Sequence, residues 1–303
     1  MIPDGACVFV TGGTGAAGRY VVADLLRRGF RVKALVRQAV HLDGVETVIG
    51  DLARIAEVAP AVAASDAIVH LASTRSQDRE TVLCEDVLGT ASLLDAWRSG
   101  PFVHASSQTI YGVPRGVLRE STPVSVLDWY DLGKFCTEFA VRKAADSDSR
   151  RGPGISLRPP LLFTPLPGQF LDLLLRECAA GRTFFFDSEE GWESYGSSYV
   201  GGADFAAAVA ASLSLSRGGV FNVATGFCRW KDLLDSFAAA GLPLRLAIRP
   251  GGRAGADESR LPQSRSELDA SLLRERSGFA PQQEWPELVA ELLAARGLRP
   301  RRR

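Results

Sequence analysis

ACVFVTGGTGAAGRYVVADLLRRG, residues 6–29, decides the fold class. Its first residues form a short continuous apolar run, as in a strand buried on both faces, and a glycine-rich turn follows at once. Gly12, Gly15 and Gly18 keep the spacing GxxGxxG, after which Tyr20, Val21, Leu25 and Leu26 recur with helical period until Gly29 ends the helix. Glycine suits such a turn because it permits positive φ, lets a pyrophosphate approach bare backbone and lets the helix pack closely on the strand. The free amides at the helix N-terminus would then hold the phosphates. Alone the triplet is a weak signal; between a buried strand and an amphipathic helix it is a strong one.

Working outward, residues 31–36 (RVKALV) read as a second strand ending at Arg37. A dinucleotide site meets the adenosine ribose at this strand end, where an acid would bond the 2′-hydroxyl and an arginine suits a 2′-phosphate. Arg37 therefore favours NADP(H) over NAD(H), the alternative being a solvated strand-end arginine. Residues 45–49 and 66–71 read as further strands around a helix over 51–64, and Asp51 either accepts from an adenine amino group or caps that helix. A long helix over 78–98 leads to a strand at 102–105, the turn SSQTIYG at 106–112 and a second turn-rich stretch at 113–126. This alternation predicts right-handed βαβ units in a Rossmann-type, doubly wound parallel α/β sheet.

Beyond a strand at 155–158 the regularity changes. Helices are expected at 169–181, 204–215, 230–240, 268–275 and 285–295, and strands at 183–186 and 220–223. Residues 191–202 (GWESYGSSYVGG) read as a loop, and the polar stretch 250–263 as a mobile loop or a lid. The expected organisation is a dinucleotide-binding domain over 1–163 and a substrate-binding region over 164–303, of which about 204–228 returns to the first domain.

The segment WYDLGKFCTE, residues 129–138, places Tyr130 and Lys134 four apart on a helix face. A phenol of pKa about 10 becomes a better acid when an ammonium group favours its phenolate. With four lysines and five tyrosines in 303 residues, chance gives such a pair in roughly one sequence in fourteen.

Lys and Arg total 35, as do Asp and Glu, so the balance calls for neither nucleic acid nor an anionic membrane. The basic run at 296–303 reads as a tail. Five scattered cysteines without a CxxC pair read as reduced residues, and His70 and His104, flanked by apolar neighbours, as core histidines; no metal site is expected. There is no leader-like segment and no apolar stretch near the ~18 residues of a membrane span, so a cytoplasmic protein is expected.

TGGTGAAG, GDL (50–52), HLAS (70–73), SSQTIYG, YDLGK (130–134), LRPP (157–160) and FNVATG (221–226) occur in the order and at the spacing of the extended short-chain dehydrogenases/reductases. The chain resembles that family from residue 8 to about 279. The resemblance implies Tyr130 as acid/base, Lys134 lowering its pKa and bonding the nicotinamide ribose, and Ser107 donating to the substrate oxygen. It also implies Gly12, Gly15 and Gly18 at the pyrophosphate, Arg37 at the 2′-phosphate, and Asp51, Leu52, Leu71 and Ala72 against the cofactor. Ser73, Gln108, Thr109, Arg249 and Arg253 are candidates for the substrate, and the helices over 78–98 and after residue 129 for a homodimer interface.

The chain departs from the family pattern in places. Asp86 stands where many members have the asparagine of NxxGT, Gly133 replaces a common serine, and Gln108-Thr109 replaces the Asp-Glu pair of 4,6-dehydratases. Ser197, Ser198 and Tyr199 stand where epimerases often carry an arginine. The resemblance therefore implies NADPH-dependent reduction of a small-molecule ketone such as a nucleotide-activated keto-sugar. The alternatives are a redox-neutral epimerase or an inactive dinucleotide-binding regulator.

Overall fold

The computed structural model describes residues 2–3, 5–113, 116–255 and 258–298. The N-terminal half alternates strands and helices: β1 (Cys7–Thr11), α1 (Ala16–Arg27), β2 (Arg31–Val36), β3 (Val45–Ile49), α2 (Ala59–Ala63), β4 (Ala67–His70), α3 (Arg79–Thr81), a π-helical segment (Val82–Leu88), α4 (Gly89–Ala96), β5 (Phe102–Ala105), β6 (Gly116–Leu118), α5 (Trp129–Ser147) and β7 (Gly154–Arg158). There follow β8 (Leu161–Phe163), α6 (Phe170–Ala179), β9 (Thr183–Phe186), α7 (Glu189–Ser194), β10 (Gly196–Gly201), α8 (Gly202–Ser212), β11 (Gly219–Asn222), β12 (Gly226–Arg229), α9 (Trp230–Ala239), β13 (Arg245–Ile248), β14 (Glu258–Arg260), β15 (Arg265–Leu268), α10 (Ser271–Ser277) and α11 (Trp285–Ala295).

The first sheet has seven parallel strands in the order β11-β7-β5-β4-β1-β2-β3. The chain order reverses between β1 and β4, and open parallel sheets bind ligands at such a switch point, outside the strands' carboxyl ends. α1 and α8 cover one face through Val21, Leu25, Phe205 and Val209; Ile55, Leu93, Trp97 and Val141 cover the other. This is the Rossmann-type α/β fold that the alternation predicts. A second sheet runs β12-β10-β15-β6, with β8 also on β10, and a third runs β13-β9-β14.

Glycine sets two close approaches. A Cβ on Gly18 would lie 2.1 Å from the Gly12 carbonyl oxygen, and one on Gly12, at φ 71°, would lie 2.7 Å from the Ala72 nitrogen. Helix α1 and the end of β4 thus close on the turn as no larger residue would allow.

Several expectations are corrected. Residues 191–202 are not a loop: α7 ends there and β10 runs buried through the second sheet. The small side chains are what the strand needs, since a Cβ on Gly196 would meet the Cys228 carbonyl oxygen at 2.3 Å and Ser198 Oγ accepts from the Leu268 amide. Residues 113–126 contain β6, whose partner β15 is distant in sequence, and Leu268 ends β15, so the helix expected from there begins at Ser271. The stretch 250–263 is held over its second half: β14 pairs with β9, Leu261 is buried, and the Gln263 amide donates to Phe185 and Leu261 carbonyls. Ala256 and Asp257 lie outside the described residues. The helix over 78–98 is broken by its π segment and stops at Ala96. Of the basic run, Arg296 pairs with Asp172, and residues 299–303 lie outside the described residues.

One buried ion pair joins these layers. Arg158, at the end of β7, donates to both carboxylate oxygens of Glu138 on α5 at 2.8 and 2.7 Å, and to the Tyr111 hydroxyl at 2.9 Å. Tyr111 in turn donates to Asn222 at 2.8 Å. Removing one partner strands the other charge in the interior, so Glu138→Ala should cost about 3–5 kcal/mol of stability in urea unfolding. The apolar double replacement Glu138→Leu with Arg158→Met should recover much of that loss; a single variant as stable as the parent would contradict the role given to the pair.

Candidate active site

A cleft of about 850 Å³ opens at the carboxyl ends of β1, β2 and β4. Gly12, Gly15 and Gly18 line its floor, Arg37, Asp51 and Leu52 one end, and Leu71, Ala72 and Ser73 the wall beyond β4. Helix α1 starts after Gly15 with no side-chain cap and no acid in its first turn. Its free amides and bare glycine backbone fit the pyrophosphate of a nicotinamide dinucleotide. Arg37 is exposed and makes no ion pair among the described residues, and Asp51 caps the following 3-10 turn through the Ala53 amide at 2.9 Å while also facing the cleft.

Beside the cleft, Asp128 caps α5 by accepting from the Asp131 amide at 2.9 Å, which sets Tyr130 in the first turn. Lys134, one turn on and only 6% exposed, donates to the Ala105 carbonyl at 2.8 Å and lies 5.7 Å from the Tyr130 ring centroid. Ser107 Oγ accepts from the Thr109 amide at 3.2 Å and from the Thr109 hydroxyl at 2.9 Å. Both acceptor sites are then used, and its own hydroxyl is left to donate toward the Tyr130 oxygen.

Burial pushes the Tyr130 phenol above its ordinary value, and the Ser107 hydrogen bond followed by the Arg75 charge opposes this. The lysine is itself lowered to about 8 by burial, and the Asp86 carboxylate opposes that loss of its proton. The two groups share a face, but desolvation dominates both.

His70 and His104 have satisfied core roles. His70 bonds Thr11 at 2.6 Å and Thr90 at 2.9 Å, and burial lowers its pKa to about 3. His104 bonds Thr137 and Ser156, and burial lowers it well below the ordinary value. No cluster of metal-ligating side chains occurs among the described residues.

Of the remaining candidates, Gln108 donates to Ser197 on β10 at 3.1 Å, and Thr109 braces Ser107. Arg249 and Arg253 do not line the cleft: Arg249 sits over the Phe185 ring on the third sheet, donating to Glu258 at 2.9 Å and to the Arg253 carbonyl at 3.2 Å. Sequence reading set Thr74 at the ligand-binding end of β4 without giving it a role, missed Arg75, and gave Asp86 no role; all three line the cleft. Asp86 accepts from the Thr74 amide at 2.9 Å and its hydroxyl at 2.8 Å, holding that wall. Its position within the NxxGT-like spacing was the available signal; Arg75 had none.

The sequence pattern of the NAD dependent epimerase/dehydratase family matches residues 8–224. The chain belongs to that family. A 4-hydroxy-2-methyl-3-oxo-4-farnesyl-3,4-dihydroquinoline-1-oxide ketoreductase of Stigmatella aurantiaca is 34% identical over 129 residues, 38% of this chain and 38% of that protein. Curated relatives of the family member are matched over between 28% and 54% of their own lengths. Among solved structures, MoeE5 in complex with UDP-glucose and NAD superposes with a TM-score of 0.79 at 21% identity, covering 97% of this chain and 99% of that one. The Thermus thermophilus UDP-glucose 4-epimerase complex with NAD gives 0.77 at 26% identity, covering 95% and 98%.

Proposed function

We propose that the protein reduces a ketone at the expense of NADPH, with a nucleotide-activated keto-sugar as the substrate class. The observation that carries this reading is the Ser107–Tyr130–Lys134 arrangement beside the glycine cradle, without an acid–base pair next to Ser107. The bound cofactor supplies the hydride. Ser107 steadies the oxygen on which negative charge grows, and Tyr130 gives that oxygen its proton. The S. aurantiaca relative is a ketoreductase, and the MoeE5 and T. thermophilus neighbours are described with a UDP-sugar and as a UDP-glucose epimerase, which supports the substrate class.

Replacing Tyr130 by Phe should lower turnover by about a thousandfold or more while NADPH binding, read by fluorescence titration, is unchanged. The parent should consume one NADPH per ketone; an epimerase would consume none. Undiminished turnover in the Phe variant sinks the assignment.

Arg37 carries the cofactor preference. Losing a charge-assisted contact to the 2′-phosphate should cost about 1.5–3 kcal/mol, so Arg37→Ser should weaken NADPH at least tenfold and leave NADH unaffected. Equal weakening of both cofactors would contradict it.

A cytoplasmic homodimer completes the reading. No helix of the described residues is long and apolar enough to cross a membrane. Leu83 and Leu88 on the π segment, with Phe135 and Phe139 on α5, leave an exposed apolar band where the two elements pack together. Leu88→Asp with Phe139→Asp should shift sedimentation from dimer to monomer; a monomeric parent would refute the interface.

A further inference from the structure

Arg75 is the one non-glycine residue among those described with a left-handed backbone, at φ 54°. That conformation is costly for a side chain bearing a Cβ, and it persists only where neighbours enforce it. They do so here. Thr74 is fixed to Asp86 through its backbone amide and hydroxyl, the Ser76 backbone amide donates to the Thr74 hydroxyl at 3.3 Å, and Gln77 Nε2 donates to the Asp128 carboxylate at 2.9 Å. Asp128 caps α5 two residues before Tyr130, and Asp86 lies beneath Gly133 on the same helix. The residues on both sides of Arg75 are therefore anchored to α5 and to the π segment packed on it, while Arg75 lines the cleft as an exposed residue with no hydrogen bond or ion pair among the described residues.

We infer that Arg75 is an anion-recognition residue that selects ketones carrying a carboxylate, or a comparably placed phosphate, close to the reacting carbonyl. An unpaired guanidinium offers a planar pair of donors that such a group accepts bidentately. The anion is assigned to the substrate because the glycine cradle and the α1 N-terminus already offer the cofactor's pyrophosphate its donors. Its charge also reaches both Tyr130 and Lys134, favouring the phenolate and opposing the ammonium. The inference rests on the ketone-reduction reading for the reacting group, but the anion site stands apart from turnover.

The test uses the full-length protein loaded with NADP⁺ and, by calorimetry, benzoylformate and its methyl ester, an α-keto acid and the matching neutral ketone. Benzoylformate should bind at least tenfold tighter to the parent than to Arg75→Gln, with the ester bound equally by both and Arg75→Lys falling between. Arg75→Gly should lose the same preference yet raise Tm by about 1–2 °C as the strain is released, which separates lost recognition from a damaged fold. No acid preference in the parent, or a preference that survives Arg75→Gln, overturns the inference. So does an NADPH affinity that falls in Arg75→Gln by the same factor, since the guanidinium would then serve the cofactor. Selective acid binding together with undiminished turnover in Tyr130→Phe would uphold the anion site and sink the reductase reading alone.

Discussion

The placement of α5, which carries Tyr130 and Lys134, depends on the Arg158–Glu138 pair. Both side chains are about 6% exposed, and taking two charges out of water is repaid only if every donor and acceptor finds a partner. Arg158 satisfies this by spending two contacts on Glu138 and a third on Tyr111. Tyr111 passes the connection to Asn222, whose amide donates to the Leu118 and Asp269 carbonyls at 3.1 Å. A single polar chain thus ties α5 to β7, to the turn carrying Ser107, and to the segments before and after the second sheet. Glu138 lies one helical turn beyond Lys134, so the pair that locks the helix also sets the height at which Lys134 meets Ala105.

Asp86 and Gly133, which looked like unrelated departures from the family pattern, are parts of one contact. A Cβ on Gly133 would lie 2.8 Å from Val82 Cγ1 and 3.9 Å from the Asp86 Cβ, so the usual serine would push the π segment away from α5. With glycine there, the π segment approaches and Asp86 reaches both the Thr74–Arg75 wall and the field of Lys134. An asparagine could accept one such bond but would bring no charge to oppose the desolvation of a buried lysine. π segments commonly mark such functional distortions.

How much of this was legible followed from the range of the interactions. The first sheet, the glycine cradle and the Tyr130–Lys134 pair are written in local periodicity and spacing, and residues 6–29 alone carried most of the fold. β10 was missed because serine and glycine have low strand propensity, and what makes GSSYVG a strand is crowding by Cys228, Leu268 and Phe163, none of them nearby in sequence. β6 was missed because its partner β15 is distant in sequence. Arg249 seemed available as a lone arginine in a polar loop, whereas Glu258 returns to it along β14. Arg75 left no trace, because strain at a single φ is a property of the folded loop and not of the residues that spell it.

The proposed reaction is narrower than the range of the family, and Gln108 is the reason. At the position where elimination would need an acid, a neutral amide neither gives nor takes a proton at ordinary pH. It donates instead to Ser197, tying the turn that carries Ser107 to the strand β10. The residue that could have added a second proton-transfer step is thereby converted into a strut between the two sheets. In the proposed reading, proton chemistry at the carbonyl is left to Tyr130, and selectivity to whatever the wall around Ser73, Arg75 and Gln108 accepts.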